Sequence, residues 1–305
     1  MSTPGRPIAD IMRAAHAAGI AIPAFNIPHL PMMAGVVRAL RETETFGLIA
    51  VARLEWMKFE SRSLEAVAEE YRRQMDPRYT RLHLDHVPVI DEDQLQVDYR
   101  AILQSAIRAG YDSLMVDGSR LPLAKNIAAT REAVALGHGA GLPVEAELGA
   151  VLGHEAGPLP PYDELFRSGK GFTDPEEARR FVAETGVDWL SVSIGNIHGA
   201  ISGAAKSAQK VQARLSIPHL QQLHRTVSVP LVLHGGSGIQ KSFVIEGIRN
   251  GIAKINVGTA IRQAYEAARG NAGAAEEAVF QAVKQVIVEE LEVAGSARRL
   301  NPPSG

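Results

Sequence analysis

Apolar and polar positions along this chain form two kinds of segment. Short, continuous apolar runs are typical of buried parallel strands. Eight such runs occupy residues 21–27, 47–52, 81–87, 113–118, 143–151, 188–195, 230–236 and 253–259. Longer segments between them, such as 32–44, 62–75 and 94–109, favour helices. About eight β/α units in roughly 250 residues predict an α/β fold, the (β/α)8 TIM barrel.

The same pattern predicts the domain organisation. No strong change in composition suggests a second domain, so we predict a single domain over residues 1–305. The barrel is expected at 8–270, a C-terminal helical segment at 260–294, and a disordered tail at 298–305. A doubly wound open sheet is the alternative, but no Gly-x-Gly-x-x-Gly sequence follows the first strand.

Two connections between the predicted elements are irregular. Residues 153–172 are rich in Gly and Pro and too long for an ordinary connection, so they are a candidate lid. This segment leads to Asp174, which is predicted to cap a helix with Pro175 in its first turn and Glu177 closing a capping box. Residues 200–212 are small, polar and basic, which favours a second mobile loop.

Composition narrows the function classes. The 32 Lys and Arg residues nearly balance the 34 Asp and Glu residues, so no electric field favours nucleic acid or an anionic membrane. Cysteine is absent, which excludes disulfides, zinc–thiolate sites and a cysteine nucleophile. A transition metal would therefore be held by histidine and carboxylate. No apolar stretch reaches the roughly 18 residues of a membrane span, and the N-terminus has no signal-peptide pattern, so we expect a cytoplasmic protein.

Polar side chains gather at or near the ends of the predicted strands. The run LHLDHVP at 82–88 places two histidines and an aspartate in an apolar stretch, where an unpaired charge costs several kcal/mol. The strand-end set is Asp85, His86, Asp117, Glu145, Glu147, Asn196, His198, His234, Asn256 and Thr259. A barrel brings these ends together at its C-terminal face. Three histidines there favour a catalytic zinc site, and three separate structural histidines are the alternative.

A phosphate site is predicted beside these residues. The run HGGSG at 234–238 is weak evidence by itself, because tight turns also use such sequences. Its place after the seventh strand, with NVGT at 256–259 after the eighth, matches the usual phosphate site of a barrel. The sequence therefore predicts a phosphorylated substrate.

An ordered set of motifs resembles one enzyme family. AFN, HLDH, MVDGS, VEAELG, GNIHG, LVLHGGSG and KINVGT occur in sequence from Ile22 to the GSAR run at 295–298. Together they resemble the class II, metal-dependent ketose-bisphosphate aldolases, in particular the fructose-1,6-bisphosphate and tagatose-1,6-bisphosphate branches. The resemblance implies zinc-dependent, reversible aldol cleavage to dihydroxyacetone phosphate and an aldehyde such as glyceraldehyde 3-phosphate.

The resemblance also implies roles for individual residues. His86, His198 and His234 would bind the catalytic Zn2+. Asp85 would be the acid/base at the C4 oxygen of the ketose, and Glu155 would exchange the proton at C3 of dihydroxyacetone phosphate. Asp85 as a helix cap or as a partner orienting a histidine, and Glu155 as a solvated loop charge, are the alternatives.

Further residues would complete the implied site. Asp117 and Glu147 match a secondary metal position, with His83 near them. The implied substrate-binding residues are Asn26, Gly199, Gly235, Ser237, Asn256 and Thr259. The two glycines and Ser237 would also help to hold a monovalent cation, Na+ or K+. The expected partner is a small phosphorylated sugar, with no nucleic acid or membrane, and the resemblance implies a homodimer or homotetramer.

Several positions depart from the family. Gly258 stands where the fructose-bisphosphate branch usually has Asp. Arg53 follows the second strand, where small polar residues are usual; it would meet a phosphate or carboxylate on the distal half of the substrate, or form an ordinary ion pair. Ile201 and Ser202 replace an aromatic and a basic residue, so either Lys206 or Lys210 would supply the phosphate contact, or the contact has no equivalent in this chain.

These departures keep other functions open. A paralogue acting on another phosphorylated ketose or keto-acid is one alternative, and a non-catalytic aldolase-like subunit is another. A Schiff-base aldolase would use Lys254 in the eighth strand, but the histidine set would then have no purpose. Zinc-dependent phosphoester hydrolysis is the remaining alternative, with the fifth-strand acids bridging metals.

Overall fold

The computed structural model describes residues 5–150, 161–197 and 213–303. Its eight described strands, β1 to β8, are parallel. They are Ile22–Asn26, Gly47–Ala52, Thr80–Asp85, Leu114–Val116, Val144–Leu148, Trp189–Val192, Leu231–Leu233 and Ile252–Val257. Every residue in them is buried, as continuous apolar strands covered on both faces require. All eight predicted strands are therefore present, most of them shorter than predicted.

Helices alternate with these strands. In chain order, the described helices α1 to α13 are Ile8–Ala18, Met32–Glu42, Arg53–Lys58, Leu64–Gln74, Tyr99–Ala109, Leu123–Gly139, Tyr162–Ser168, Pro175–Thr185, Ile217–Thr226, Lys241–Arg249, Thr259–Ala268, Ala272–Gln285 and Ala297–Leu300. A π-helical turn at Val286–Glu290 extends α12. No helix in the described ranges is both long and apolar enough to cross a membrane.

The sheet closes into a barrel. Its strand order is β3-β2-β1-β8-β7-β6-β5-β4, which leaves β3 and β4 at the two ends. The Leu84 N–H donates to the Ser113 carbonyl at 3.0 Å, and the Asp112 N–H donates to the Leu82 carbonyl at 2.9 Å. These bonds join the ends of the sheet. The predicted (β/α)8 TIM barrel is confirmed, and the doubly wound alternative is wrong.

The segment predicted as a long loop contains a helix. Residues 151–160 lie outside the described part of the chain, but α7 occupies much of the remainder. The Tyr162 hydroxyl donates to the Gly195 carbonyl at 3.0 Å and accepts from the Arg214 N–H at 2.6 Å, which ties α7 to the segment after β6. Residues 153–160 of the predicted lid lie outside the described residues, as does the whole of the mobile loop predicted at 200–212. The Asp174 cap is present, because its carboxylate accepts from the Glu176 and Glu177 N–H groups.

The predicted disordered tail is wrong for residues 298–301. α13 begins at Ala297, and Leu300 is buried. The Leu300 carbonyl accepts from Arg6, and the Asn301 side chain donates to the carbonyls of Pro77 and Arg78 at 3.0 and 2.9 Å. These contacts are distant in sequence, so the composition of the tail does not reveal them. The single-domain boundaries stay a prediction.

Candidate active site and metal centre

The end of β3 supplies three adjoining polar side chains. His83 and Asp85 alternate along the strand and are 0% and 1% exposed. His86 comes immediately after the strand with a φ of 28°, a backbone conformation that is uncommon for a side chain of this size. This turn brings the His86 ring to 4.3 Å from the His234 ring, centroid to centroid. The histidines that end β3 and β7 therefore meet, as the barrel prediction requires.

A metal ion fits the donor atoms at this point. Asp85, His86 and His234 each offer a ligand atom, and these atoms lie within 4.8 Å of one another. Imidazole nitrogen and carboxylate oxygen are the donors that zinc accepts where thiolate is lacking. His198, the predicted third histidine ligand, lies outside the described residues. Two of the three predicted ligands are thus brought together with Asp85, and their role as ligands stays a prediction.

The Asp85 carboxylate is fixed by two amides from neighbouring strands. Asn26 Nδ2 donates to Asp85 Oδ2 at 2.8 Å, and Asn256 Nδ2 donates to Asp85 Oδ1 at 2.9 Å. Burial acts to raise the pKa of Asp85, but the positive charges of His86 and Lys254 outweigh it and hold the pKa below its ordinary value. Asp85 is therefore an ionised hydrogen-bond acceptor at the mouth of the barrel. A helix-cap role is wrong, because β3 ends here and no helix begins.

A second acidic group adjoins the first. His86, Asp117 and Glu147 also bring ligand atoms within 4.8 Å of one another. His86 Nδ1 lies 3.3 Å from Asp117 Oδ2, and His234 Nδ1 lies 3.0 Å from Glu147 Oε2. Burial would lower the pKa of His86, but Asp85 and Asp117 raise it to about 10. These carboxylates favour positive charge here, which is what a bound cation would supply.

His83 does not join that second group. Its Nδ1 lies 2.9 Å from the Ser113 hydroxyl, and its Nε2 lies 3.5 Å from Glu145 Oε2. Burial lowers the pKa of His83 to about 3, and the Lys254 charge acts in the same direction. The ring is therefore neutral, and it groups with Asp85 and Glu145 rather than with Asp117. The prediction that it lies near the secondary metal position is corrected accordingly.

The predicted phosphate loop follows β7 closely. Gly235 adopts a left-handed φ of 66°, and the Gly236 N–H donates to the Asn256 carbonyl at 3.1 Å. A Cβ at Gly236 would stand 2.5 Å from Ile255 Cγ2 and 2.8 Å from the Asn256 carbonyl, so only glycine allows this approach. Ser237 Oγ is buried, and within the described residues it has no hydrogen-bond partner. This loop therefore lies beside the end of β8 with a hydroxyl available to a ligand.

The start of α11 completes this side of the site. Gly258 precedes α11 and Thr259 is its first residue. Asn256 Oδ1 is buried and has no hydrogen-bond partner among the described residues, although its Nδ2 holds Asp85. Asn26 likewise uses its amide on Asp85. Of the remaining predicted site residues, Glu155 and Gly199 lie outside the described residues.

Arg53 lies at the start of α3 and lines a small cleft next to the candidate metal centre. Its Nη1 is 3.3 Å from Asp91 Oδ2, which confirms the ion-pair interpretation. Arg53 also lines a cleft of about 80 Å³. That cleft is lined in part by Arg53, His86, Glu92, Asp117 and Arg120. Arg53 is thus oriented by Asp91 while it borders the space beside His86.

The aldolase interpretation of the sequence gave no role to the carboxylate of Glu145, which was assigned only a metal-bridging role in the phosphoester-hydrolysis alternative. Glu145 Oε1 accepts from His234 Nε2 at 2.8 Å, and Oε2 accepts from Trp189 Nε1 at 2.6 Å. Lys254 Nζ lies 3.0 and 2.8 Å from the two oxygens. Burial would raise the pKa of Glu145, but the Lys254 charge holds it below its ordinary value. The two-residue spacing of Glu145 and Glu147 was the available signal, because it puts both side chains on the inner face of β5.

The comparisons with known proteins agree with this geometry. A family model described as class-II fructose-bisphosphate aldolase matches residues 6–299. The chain belongs to this family. It is therefore a class II aldolase, a carbon–carbon lyase of a metal-dependent family, and the resemblance found in its motifs is confirmed. The clustered histidines and carboxylates are consistent with that metal dependence.

Solved structures show the same relationship. The YdjI aldolase from Escherichia coli is 28% identical, with a TM-score of 0.75, over 97% of this chain and 100% of that chain. A putative fructose-1,6-bisphosphate aldolase from Coccidioides immitis is 27% identical, with a TM-score of 0.73, over 94% of this chain and 96% of that one. Fructose-bisphosphate aldolase from Campylobacter jejuni is 17% identical, with a TM-score of 0.72 and 94% of both chains covered, which supports the fold alone.

Proposed function

We propose that this aldolase catalyses the zinc-dependent, reversible cleavage of a ketose 1,6-bisphosphate of the fructose or tagatose type. The products are dihydroxyacetone phosphate and an aldehyde such as glyceraldehyde 3-phosphate. The observation that carries the proposal is the group formed by Asp85, His86 and His234 at the C-terminal end of the barrel. It combines a fixed proton acceptor with nitrogen donors, as a metal-assisted aldolase needs.

Asp85 is the proposed base for the bond-breaking step. It takes the proton of the C4 hydroxyl while the C3–C4 bond breaks. The C4–O bond then becomes the carbonyl of the aldehyde, and the electron pair of the broken bond passes through C3 to the C2 carbonyl oxygen. This gives the enediolate of dihydroxyacetone phosphate. Asn26 and Asn256 keep both Asp85 oxygens directed by hydrogen bonds during this transfer.

The second proton transfer completes dihydroxyacetone phosphate. Glu155, which lies outside the described residues, would deliver a proton to C3. Zn2+, held by His86, His198 and His234, would act as a Lewis acid toward the C2 carbonyl.

Asp117 and Glu147 are proposed for a secondary metal position. The loop with Gly235 and Ser237, together with Gly199, Asn256 and Thr259, is proposed to hold the substrate phosphate with Na+ or K+ beside it. A cytoplasmic location and a homodimer or homotetramer stay predictions.

The cleft beside His86 favours a second candidate substrate class. Two arginines, Arg53 and Arg120, line it, whereas the family usually has small polar residues at the position of Arg53. Another phosphorylated ketose or keto-acid, with a different group on the aldehyde half, is therefore the alternative substrate. The intact β7 loop supports the same dihydroxyacetone phosphate half in either case.

The test is carbon–carbon cleavage of fructose- and tagatose-1,6-bisphosphate, followed by the release of dihydroxyacetone phosphate. Activity should disappear with a chelator and return with added zinc. The ratio of the two rates assigns the branch. Bound zinc with no cleavage of either sugar would favour the alternative substrates, and release of inorganic phosphate instead would indicate hydrolysis. Activity that ignores the chelator would contradict the zinc mechanism, and borohydride trapping would then test a Schiff base.

A further inference from the structure

Four donor contacts converge on the two oxygens of Glu145 in the interior of the barrel. Oε1 faces His234 Nε2 at 2.8 Å and Lys254 Nζ at 3.0 Å. Oε2 faces Trp189 Nε1 at 2.6 Å and Lys254 Nζ at 2.8 Å. Glu145, His234 and Lys254 are fully buried, and Trp189 is 1% exposed. Bulk solvent therefore does not reach this network, so contacts with neighbouring side chains orient each group.

The chemistry of these groups fixes which of them donates and which accepts each hydrogen bond to Glu145. A lysine ammonium and an indole N–H can only donate, so both Glu145 oxygens act as acceptors. The bond from His234 to Oε1 must then be donated by Nε2–H. In a neutral imidazole with Nε2–H, Nδ1 carries the lone pair. Nδ1 is the atom 3.0 Å from Glu147 Oε2, on the side where the second acidic group lies.

We propose that Glu145 and Lys254 are positioning residues that set the tautomer of His234 and present its Nδ1 to the metal. The inference rests on the proposed role of His234 as a ligand. Lys254 spans both carboxylate oxygens, so the carboxylate cannot turn away from the ring. A buried carboxylate behind a ligating histidine commonly has this effect on metal sites, and its loss weakens metal binding 10- to 100-fold. Lys254 acts through Glu145 and needs no contact with the metal.

The sharpest variant is Glu145→Gln. Trp189 and Lys254 would still require an acceptor near the former Oε2, so they would retain the amide oxygen there. The amide NH2 would then face His234 Nε2 and donate to it. His234 would have to place its own hydrogen on Nδ1, which removes the lone pair from the metal side. We expect zinc affinity, measured by competition with a chromophoric chelator, to fall at least 10-fold.

Two further variants, Lys254→Met and the double variant Glu145→Gln/Lys254→Met, test the same network. Zinc affinity should also fall in each of them, and the double variant avoids a buried ammonium facing an amide. Ser113→Ala is the matched control, because it removes a buried hydrogen bond to His83 at 2.9 Å and leaves the Glu145 contacts in place. It should keep the zinc affinity of the parent protein. Circular dichroism establishes that each variant is folded.

The hydrogen on the His234 ring can also be located in the parent protein. In chelator-treated protein labelled with 15N-histidine, nitrogen chemical shifts should show a hydrogen on His234 Nε2, with His234→Gln used to identify the signal. An Nε2 without a hydrogen would overturn the inference, as would parent-like zinc affinity in folded Glu145→Gln. Zinc binding requires no sugar, so failure to cleave sugars would contradict only the proposed function. Unchanged zinc affinity in His234→Gln would instead contradict the proposed ligand.

Discussion

Asn256 Nδ2 donates to Asp85 Oδ1 at 2.9 Å, although the two residues are 171 positions apart in the chain. The bond joins the end of β8 to the end of β3 across the mouth of the barrel. Asn26, from the strand between β2 and β8, holds the other oxygen at 2.8 Å. The carboxylate of Asp85, the proposed base, is therefore oriented by side chains from β1 and β8. Residues predicted to bind substrate thus also position a proposed catalytic group.

Replacing Asn256 with Ala should lower kcat. The variant removes one charge-assisted hydrogen bond, worth about 1.5–3 kcal/mol, from the Asp85 carboxylate. If only part of that energy supports the transition state, kcat for cleavage falls by roughly 10-fold. Steady-state kinetics at saturating zinc measures it, with Asn26→Ala expected to act in the same direction. A higher KM with unchanged kcat would mean that Asn256 binds substrate and does not position Asp85.

Asp85→Asn should separate the two proton transfers. The variant cannot accept the C4 hydroxyl proton, so cleavage should fall by about 10²–10⁴-fold. Exchange of the C3 proton of dihydroxyacetone phosphate with solvent deuterium should continue, because that step is assigned to Glu155. Proton NMR follows the exchange, and zinc analysis controls for metal loss. Glu155→Gln is the matched partner and should lose the exchange. Loss of exchange in Asp85→Asn, with zinc retained, would assign both transfers to Asp85.

The barrel could be predicted because its strands are buried on both faces. Continuous apolar runs such as GLIAVA at 47–52 leave little ambiguity about where a parallel strand lies, and β2 matches that run. The Gly- and Pro-rich character of 153–172 concealed α7, because seven residues between Pro161 and Gly169 suffice for a short helix. The tail depends on contacts of Asn301 with residues near β3. Such contacts come from tertiary packing, which local composition does not encode.

The candidate site also has one part that could be predicted from the sequence and another part that could not. Residues at strand ends could be predicted to meet because the topology of a barrel fixes where parallel strands end. The contacts between side chains inside the barrel could not be predicted, because the register between strands decides whether Lys254 faces Glu145 or another side chain. Register depends on the twist and stagger of all the strands together. His83 shows the consequence: its sequence neighbours were known, but its grouping with Glu145 required the structure.

Arg53 should affect only the aldehyde half of the reaction. It borders the cleft beside His86 and is oriented by Asp91. In the condensation direction, Arg53→Met should reduce kcat/KM for aldehydes with an anionic terminal group by 10-fold or more. C3 proton exchange of dihydroxyacetone phosphate alone should stay unchanged. Arg131→Met, at an exposed position of α6, is the control. Equal losses with anionic and neutral aldehydes would contradict a role in recognising charge.

Glu55 should make folding stability depend on pH. Its Oε2 accepts from the Ala52 N–H at 2.8 Å, at the start of α3. Burial raises the pKa of Glu55 from 4.5 to about 8; the Ala52 hydrogen bond opposes this, and the Asp85 charge adds to it. Between pH 4.5 and about 8, Glu55 is ionised in the unfolded chain but still protonated in the folded protein. Stability must therefore fall as pH rises from about 4.5 to about 8, and the contribution is constant outside that window.

Glu55→Gln removes this dependence while keeping an oxygen acceptor for the Ala52 N–H. As pH rises from 5 to 8, the free energy of unfolding of the variant should rise relative to that of the parent protein. The expected gain is up to about a few kcal/mol. Denaturant unfolding of both proteins at each pH measures the difference, so pH effects common to both cancel. Glu42→Gln, at an exposed position of α2, should show no such trend. A constant difference between Glu55→Gln and parent across the range would mean that Glu55 is already ionised in the folded protein at pH 5.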